Sequence, residues 1–241
     1  MTKKSVIKTP VSRKSTTGKP VRSPRREESL SRDRIVEASI ALLDDGGEDG
    51  LTFRALSERL ATGAGAIYWH VPNKGELLTA ACDAVVSRTM KAVAAAAAPE
   101  ATLRDVALAL FDAIDAHPWV GSALMRSPGQ LPMVRIIERI GQQVRRLGVH
   151  EDAQWAAVGT LLNYILGVGG QNAANGQLAR AQQIDRSDFL GSVATVWSEL
   201  DAGDYPFTRS LADKLRSHDD REDFLGGFDL ILSGIKSALP D

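Results

Sequence analysis

Apolar side chains recur at three- and four-residue spacing along most of this chain and seldom alternate, so helices are the elements to expect. Ile35, Val36, Ser39, Ile40, Leu42 and Leu43 form one such stripe, opened by Ser31 as N-cap and closed at Gly46-Gly47. A short second helix follows a Thr52 cap, its inward face drawn from Phe53 or Leu56 together with Leu60. Ala61-Thr62-Gly63 reads as a turn, and a third helix runs from Ala64 to about His70. Pro72 bars its continuation, and Asn73 caps a fourth helix expected to reach about Ala98, where Pro99 stops it. Further helices are expected over 101–117, 119–126, 130–147, 151–175 (ending around Asn175-Gly176), 187–200 and 221–239. The polar stretch 201–220 reads as a loop with room for one helical turn. The predicted fold class is all-α, with nine or ten helices. A three-helix unit at 29–76 precedes a larger helical domain at 77–241, and 1–28 forms a separate arm.

Composition supports this picture. The chain is 44% hydrophobic but only 5% aromatic, and it is rich in Ala and Leu, which favour helix over strand. The sequence contains no apolar run long enough to span a bilayer, and its basic N-terminal stretch lacks the apolar core of a secretory signal. The single cysteine, Cys82, excludes an intramolecular disulfide and reads as a small buried apolar residue. These features together predict a soluble cytoplasmic protein with no membrane partner. No internal repeat is present.

Charge is distributed unevenly. The net charge of −1 conceals a segment 1–34 with eleven Lys or Arg against three acids, or +8, and a remainder at −9. Residues 1–28 hold almost no large apolar side chains and are expected to be disordered in isolation. A basic arm on an acidic body suits a polyanion; a merely solubilising tail is the alternative.

From Leu51 to Lys74 the pattern is two short helices, a tight turn with small residues where backbones must approach, and aromatic and polar tips at the end of the second. A helix-turn-helix DNA reader is built this way. The segments Leu51-Thr52-x-Arg54-x-Leu56-x-x-x-Leu60 and Ala66-Ile67-Tyr68-Trp69-His70-Val71-Pro72-Asn73-Lys74 resemble the DNA-binding domain of TetR-type transcriptional regulators. His117-Pro118-Trp119 and Phe228-x-x-x-Leu232 resemble the tetracycline-repressor-like C-terminal domain. The resemblance implies that the third helix enters the major groove of a double-stranded DNA operator. Thr52, Arg54, Ala64, Gly65, Ala66, Tyr68, Trp69, His70 and Lys74 would then make the contacts. No Lys, Arg, Asp or Glu lies between Leu60 and Asn73, so the reading helix lacks a long charged side chain for a guanine edge. Arg54 is the candidate base reader, with a phosphate contact or a surface ion pair as alternatives. Phe53 is expected to pack and Ile67 to be core. Residues 29–76 carry five basic residues against eight acids, so much of the charge that holds DNA must come from the arm.

One reading helix buries too little surface for tight specific binding, which calls for a homodimer on a palindromic site. By resemblance, segments 151–174 and 221–239 form a four-helix bundle across the dimer, with Trp155, Leu162, Leu166, Phe224, Phe228, Ile231 and Ile235 as interface candidates; a buried core helix would show the same apolar pattern. A pocket for a small organic effector is expected among the helices from 101 to 175. Candidate lining residues are Phe111, Ile114, His117, Trp119, Met125, Met133, Ile137, Trp155, Asn163 and Gln171. Asn163, a carboxamide within an apolar helix, needs a partner in a ligand or in the other subunit.

Neither a cofactor nor a metal is expected. The four histidines show no ligand spacing, and Leu124 stands where the resemblance places a magnesium-binding His in tetracycline-binding members. Gly-rich phosphate loops, Gly-x-Ser-x-Gly, His-Glu-x-x-His and paired carboxylates on one helix face are all missing, which argues against an enzyme. The expected function is a ligand-responsive transcriptional repressor. The alternatives are an activator or ligand-independent regulator of the same fold, or a helical interaction module without specific DNA binding.

Overall fold

The computed structural model describes residues 30–94, 98–126 and 128–239. The arm 1–28 lies outside them. Among the described residues there are twelve helices and no strand, and none of the helices is long and apolar enough to cross a membrane.

Helices α1 (Arg32–Gly50), α2 (Phe53–Leu60), α3 (Ala64–His70) and α4 (Lys74–Ala92) open the chain. Their starts are set by side chains that satisfy otherwise orphaned N–H groups. Ser31 accepts from the Arg34 amide, Thr52 from Ala55 and Asn73 from Glu76. The helical course of α1 breaks at Gly46 and Gly47, where Gly47 has φ 61° and ψ −158°, a region open essentially to glycine alone. A last turn continues to Gly50, after which fully buried Leu51 pins the chain to the core. α2 ends with Ala61 in the left-handed conformation, and the Thr62 amide reaches back to the Ser57 carbonyl at 3.0 Å. Ile35, Leu43, Leu51, Leu56, Ile67, Val71 and Leu77 make the fully buried core of this first unit.

The larger helical part contains α5 (Pro99–Ala116), α6 (Trp119–Arg126), α7 (Leu131–Arg146), α8 (Glu151–Ala181), α9 (Arg186–Glu199), α10 (Pro206–Ser210), α11 (Ala212–Arg216) and α12 (Asp220–Ser237). α5 and α8 form its central pair. They cross closely at Gly169, where a Cβ would lie 3.2 Å from the Ile114 side chain. Leu103, Val106, Leu110 and Ile114 of α5 are buried with Leu161 and Ile165 of α8. α12 packs on both, with Phe224 stacked on Phe111 at 4.6 Å and Phe228 fully buried. Arg104–Asp229, Arg221–Asp112 and Lys236–Glu100 ion pairs line the α5–α12 seam; they are solvent-exposed and stabilise it little.

Four boundaries differ from the sequence expectation. α4 ends at Ala92 instead of near Ala98. Pro99 starts a helix rather than stopping one, since an N1 position needs no amide donor. α8 runs through Asn175-Gly176 to Ala181 and ends only where Gln183 takes φ 56° and the Ile184 amide bonds the Ala179 carbonyl. The stretch 201–220 holds two five-residue helices, α10 and α11.

Candidate nucleic-acid interface and ligand cavity

The reading unit buries little of α3. Only Ile67 is inside, while Ala64, Gly65, Ala66, Tyr68 and Trp69 face outward and His70 is half-buried. Trp69 is 89% exposed, an unusual position for so large an apolar side chain. Tyr68 is held by stacking on Phe53, with centroids 4.0 Å apart and planes 11° from parallel, so Phe53 packs as expected. A Cβ added at Gly63 or Gly65 would meet nothing within 4 Å, which leaves that end of α3 open to close approach by another surface. Arg54 is exposed at the start of α2, its Nε bonded to Glu58 at 2.9 Å; this is the surface ion pair weighed against base reading. The pair leaves the outer Nη edge of the guanidinium available. Thr52 is occupied as a cap, a role compatible with a phosphate contact. Lys74 donates to the Glu48 carbonyl at 2.5 Å, which ties the start of α4 to the last turn of α1.

The reading unit is fastened to the larger domain through α1 and α4. The Asp44 carboxylate accepts from Trp119 Nε1 at 2.7 Å and lies 2.8 Å from His117 Nδ1. Glu48 pairs with Arg126 and accepts from Ser122, and Asp83 of α4 holds Arg135 of α7. His117 and Trp119 therefore take part in this junction, and Trp119 also lines a second cavity beside it with Asp44, Pro118 and Arg180.

A cavity of about 430 Å³ lies between the C-terminal half of α8, the face of α9, and α5, α11 and α12. Of the ten predicted lining residues, only Phe111 and Gln171 face it. Ile114 and Met133 are buried core, Met125 is 61% exposed, and Asn163 faces outward on α8. Ile137 and Trp155 line a shallow groove between α7 and α8. The displacement has a physical cause: α9, with Leu215 of α11, faces the second half of α8 across the cavity and supplies a wall that the range 101–175 omits. Arg186, Phe189, Leu190, Val193 and Trp197, spaced three and four apart on α9, form that wall. At the mouth, Arg186 Nε bonds Asp220 at 2.6 Å, and His218 lies between Asp220 and Asp223. Behind the floor, Tyr164 donates to the Phe224 carbonyl at 2.8 Å. Burial, reinforced by the Asp223 carboxylate, pushes its phenol above the ordinary value.

The family model for tetracyclin repressor-like C-terminal domains matches residues 98–239, and that for bacterial regulatory proteins of the tetR family matches 35–81. The chain belongs to the TetR family. This TetR-family protein is a transcriptional regulator with an all-α fold, a helix-turn-helix unit preceding a larger helical domain. It is similar to the solved transcriptional regulator SCO7222, a TetR from Streptomyces coelicolor, with 51% identity over 88% of this chain and 100% of that one, and a TM-score of 0.79. The HTH-type transcriptional repressor DrrR1 of Streptomyces coeruleorubidus is 27% identical over 90% of this chain and 81% of its own. The tetracycline repressor class C of Escherichia coli is 41% identical, but over only 24% of this chain and 26% of its own.

The predicted interface residues divide in two. Leu162, Leu166, Phe224 and Phe228 are buried inside the protomer, consumed by packing among α5, α8 and α12. Trp155 is 75% exposed, while Ile231 and Ile235 are half-buried. Leu230, on the same segment, is 78% exposed on α12.

Proposed function

We propose that this TetR-family protein is a homodimeric repressor that holds a palindromic operator and leaves it when a small organic effector occupies the α8–α9 cavity. One observation carries the reading: α3 buries a single residue and presents the rest of its surface, with Trp69 at its tip, to the outside. Ala64, Gly65 and Ala66 offer close approach and apolar contact with thymine methyls, and Arg54 offers a fork for a guanine edge. Thr52, Tyr68, Trp69, His70 and Lys74 position the backbone. Dimerisation uses the outer faces of α8 and α12, where Trp155, Asn163 and Leu230 accompany glycines 159, 167, 170, 226 and 234, none of which has an atom near its missing Cβ. Nothing among the described residues crowds these glycines, so two copies of the helix pair can approach closely. The basic arm supplies phosphate neutralisation beside each half-site.

Selection of bound sequences from a random DNA pool, followed by footprinting, tests the proposal. A two-fold symmetric site with half-sites about one helical turn apart is expected. Removing residues 1–28 should reduce the slope of log affinity against log salt. Recovery of no specific site would refute the operator reading.

A further inference from the structure

We propose, building on the effector reading above, that the α8–α9 cavity takes a flat, polycyclic aromatic ligand that bears hydrogen-bonding oxygens and no net negative charge. Its volume of about 430 Å³ falls within the roughly 300–1,000 Å³ of sites for drug-sized ligands. The floor and one wall are aromatic. Phe111 and Phe224 stack at 4.6 Å with planes 27° apart, and Phe189 and Trp197 project from α9. Such faces suit a ring system, which prefers offset or edge contact with aromatic neighbours.

The opposite wall has different chemistry. Gln171 and Asn175 of α8 line the cavity, and neither carboxamide bonds another group among the described residues. Each offers both a donor and an acceptor, which suits ligand hydroxyl and carbonyl oxygens. Between them, Asn172 is engaged by Asp115 at 2.9 Å.

The mouth determines the sign of charge. Arg186 is its only Lys or Arg, and Nε and Nη2 of that guanidinium are both committed to Asp220. Asp223 is a second carboxylate, in contact with His218. One guanidinium against two carboxylates leaves the mouth without net positive charge for a ligand anion, whereas an ammonium group would meet Asp223; Nη1 of Arg186, buried and without a partner among the described residues, is left to donate to a neutral ligand oxygen.

Quenching of intrinsic tryptophan fluorescence by three probes on the full-length protein tests this. The probes are a dihydroxyanthraquinone, the same ring system with a dimethylaminoethyl group, and the same ring system with a sulfonate. The first two are expected to bind, the sulfonate at least about tenfold more weakly. Asp223→Asn should narrow that gap, Trp197→Ala should weaken all three, and Gln171→Leu with Asn175→Leu should weaken the dihydroxy probe. Binding that leaves these variants unaffected, a sulfonate held as tightly as the neutral probe, or binding of none of the three overturns the assignment. Operator binding, measured without probe, reads the regulatory proposal separately; its absence would strike that proposal and leave probe affinity as the test of the cavity.

Discussion

Replacing Asp44 by alanine tests whether the reading and sensing parts are joined where the structure joins them. The substitution removes the acceptor for two donors. His117 is 28% exposed and can turn to water, so its loss costs little. Trp119 is only 5% exposed, so its indole N–H is left poorly solvated, at a cost of about 1–3 kcal/mol. Asp44 itself is 32% exposed, which places the expected loss toward the middle of that range, about 2 kcal/mol. For a chain of this size that lowers Tm by about 4–8 °C. Asp44→Asn keeps an oxygen for Trp119 and should lose less than half as much. Thermal unfolding followed by circular dichroism, at one fixed protomer concentration because dimerisation adds to apparent stability, reads the series. A double-mutant cycle with Trp119→Phe isolates the bond. Additivity within about 0.5 kcal/mol would refute the reasoning, because partners in direct contact should show coupling above that.

Ile67→Ala empties a fully buried site beneath α3 and should cost about 2–5 kcal/mol, with loss of operator binding. Trp69→Ala, at a position 89% exposed, should leave stability within about 0.5 kcal/mol while weakening operator binding in a gel-shift titration. Leu230→Arg should shift the dimer toward monomer in sedimentation analysis without unfolding the protomer, as this side chain is 78% exposed. Burial, with the Asp83 carboxylate adding, pushes the Cys82 thiol from 9.0 to about 12. Below pH 9.0 both the native and the unfolded thiol keep their proton. Between there and about 12 only the unfolded chain releases it, so stability falls as pH rises through that window. Cys82→Ala should flatten that alkaline decline in denaturant titrations.

Local signals made the reading unit legible and failed farther along. Ser31, Thr52 and Asn73 cap helices through their own side chains, and Pro72 cannot continue one, so α1, α2 and α4 start, and α3 stops, where these residues predict. The end of α8 was not legible in the same way. Gly176 inside a helix costs about 1 kcal/mol, and the residues after it outweigh that by continuing the hydrogen-bond ladder to Ala181. The cavity was legible only in small part: Phe111 and Gln171 line it, whereas its α9 wall of Arg186, Phe189, Leu190, Val193 and Trp197 lies beyond the range 101–175. Which apolar residues of α12 turn inward depends on tertiary packing, and so Phe224 and Phe228 were placed on the wrong side.

The polar fastening at Asp44, Glu48 and Asp83 has a consequence for re-engineering. All three acids lie on α1 and α4, outside the α2–α3 pair proposed to face DNA. Residues 53–70 can therefore be transplanted from another regulator with the fastening intact, provided Leu56 and Ile67 keep their volume. Under the proposed function, such a chimera would answer to the same small molecule at a new promoter.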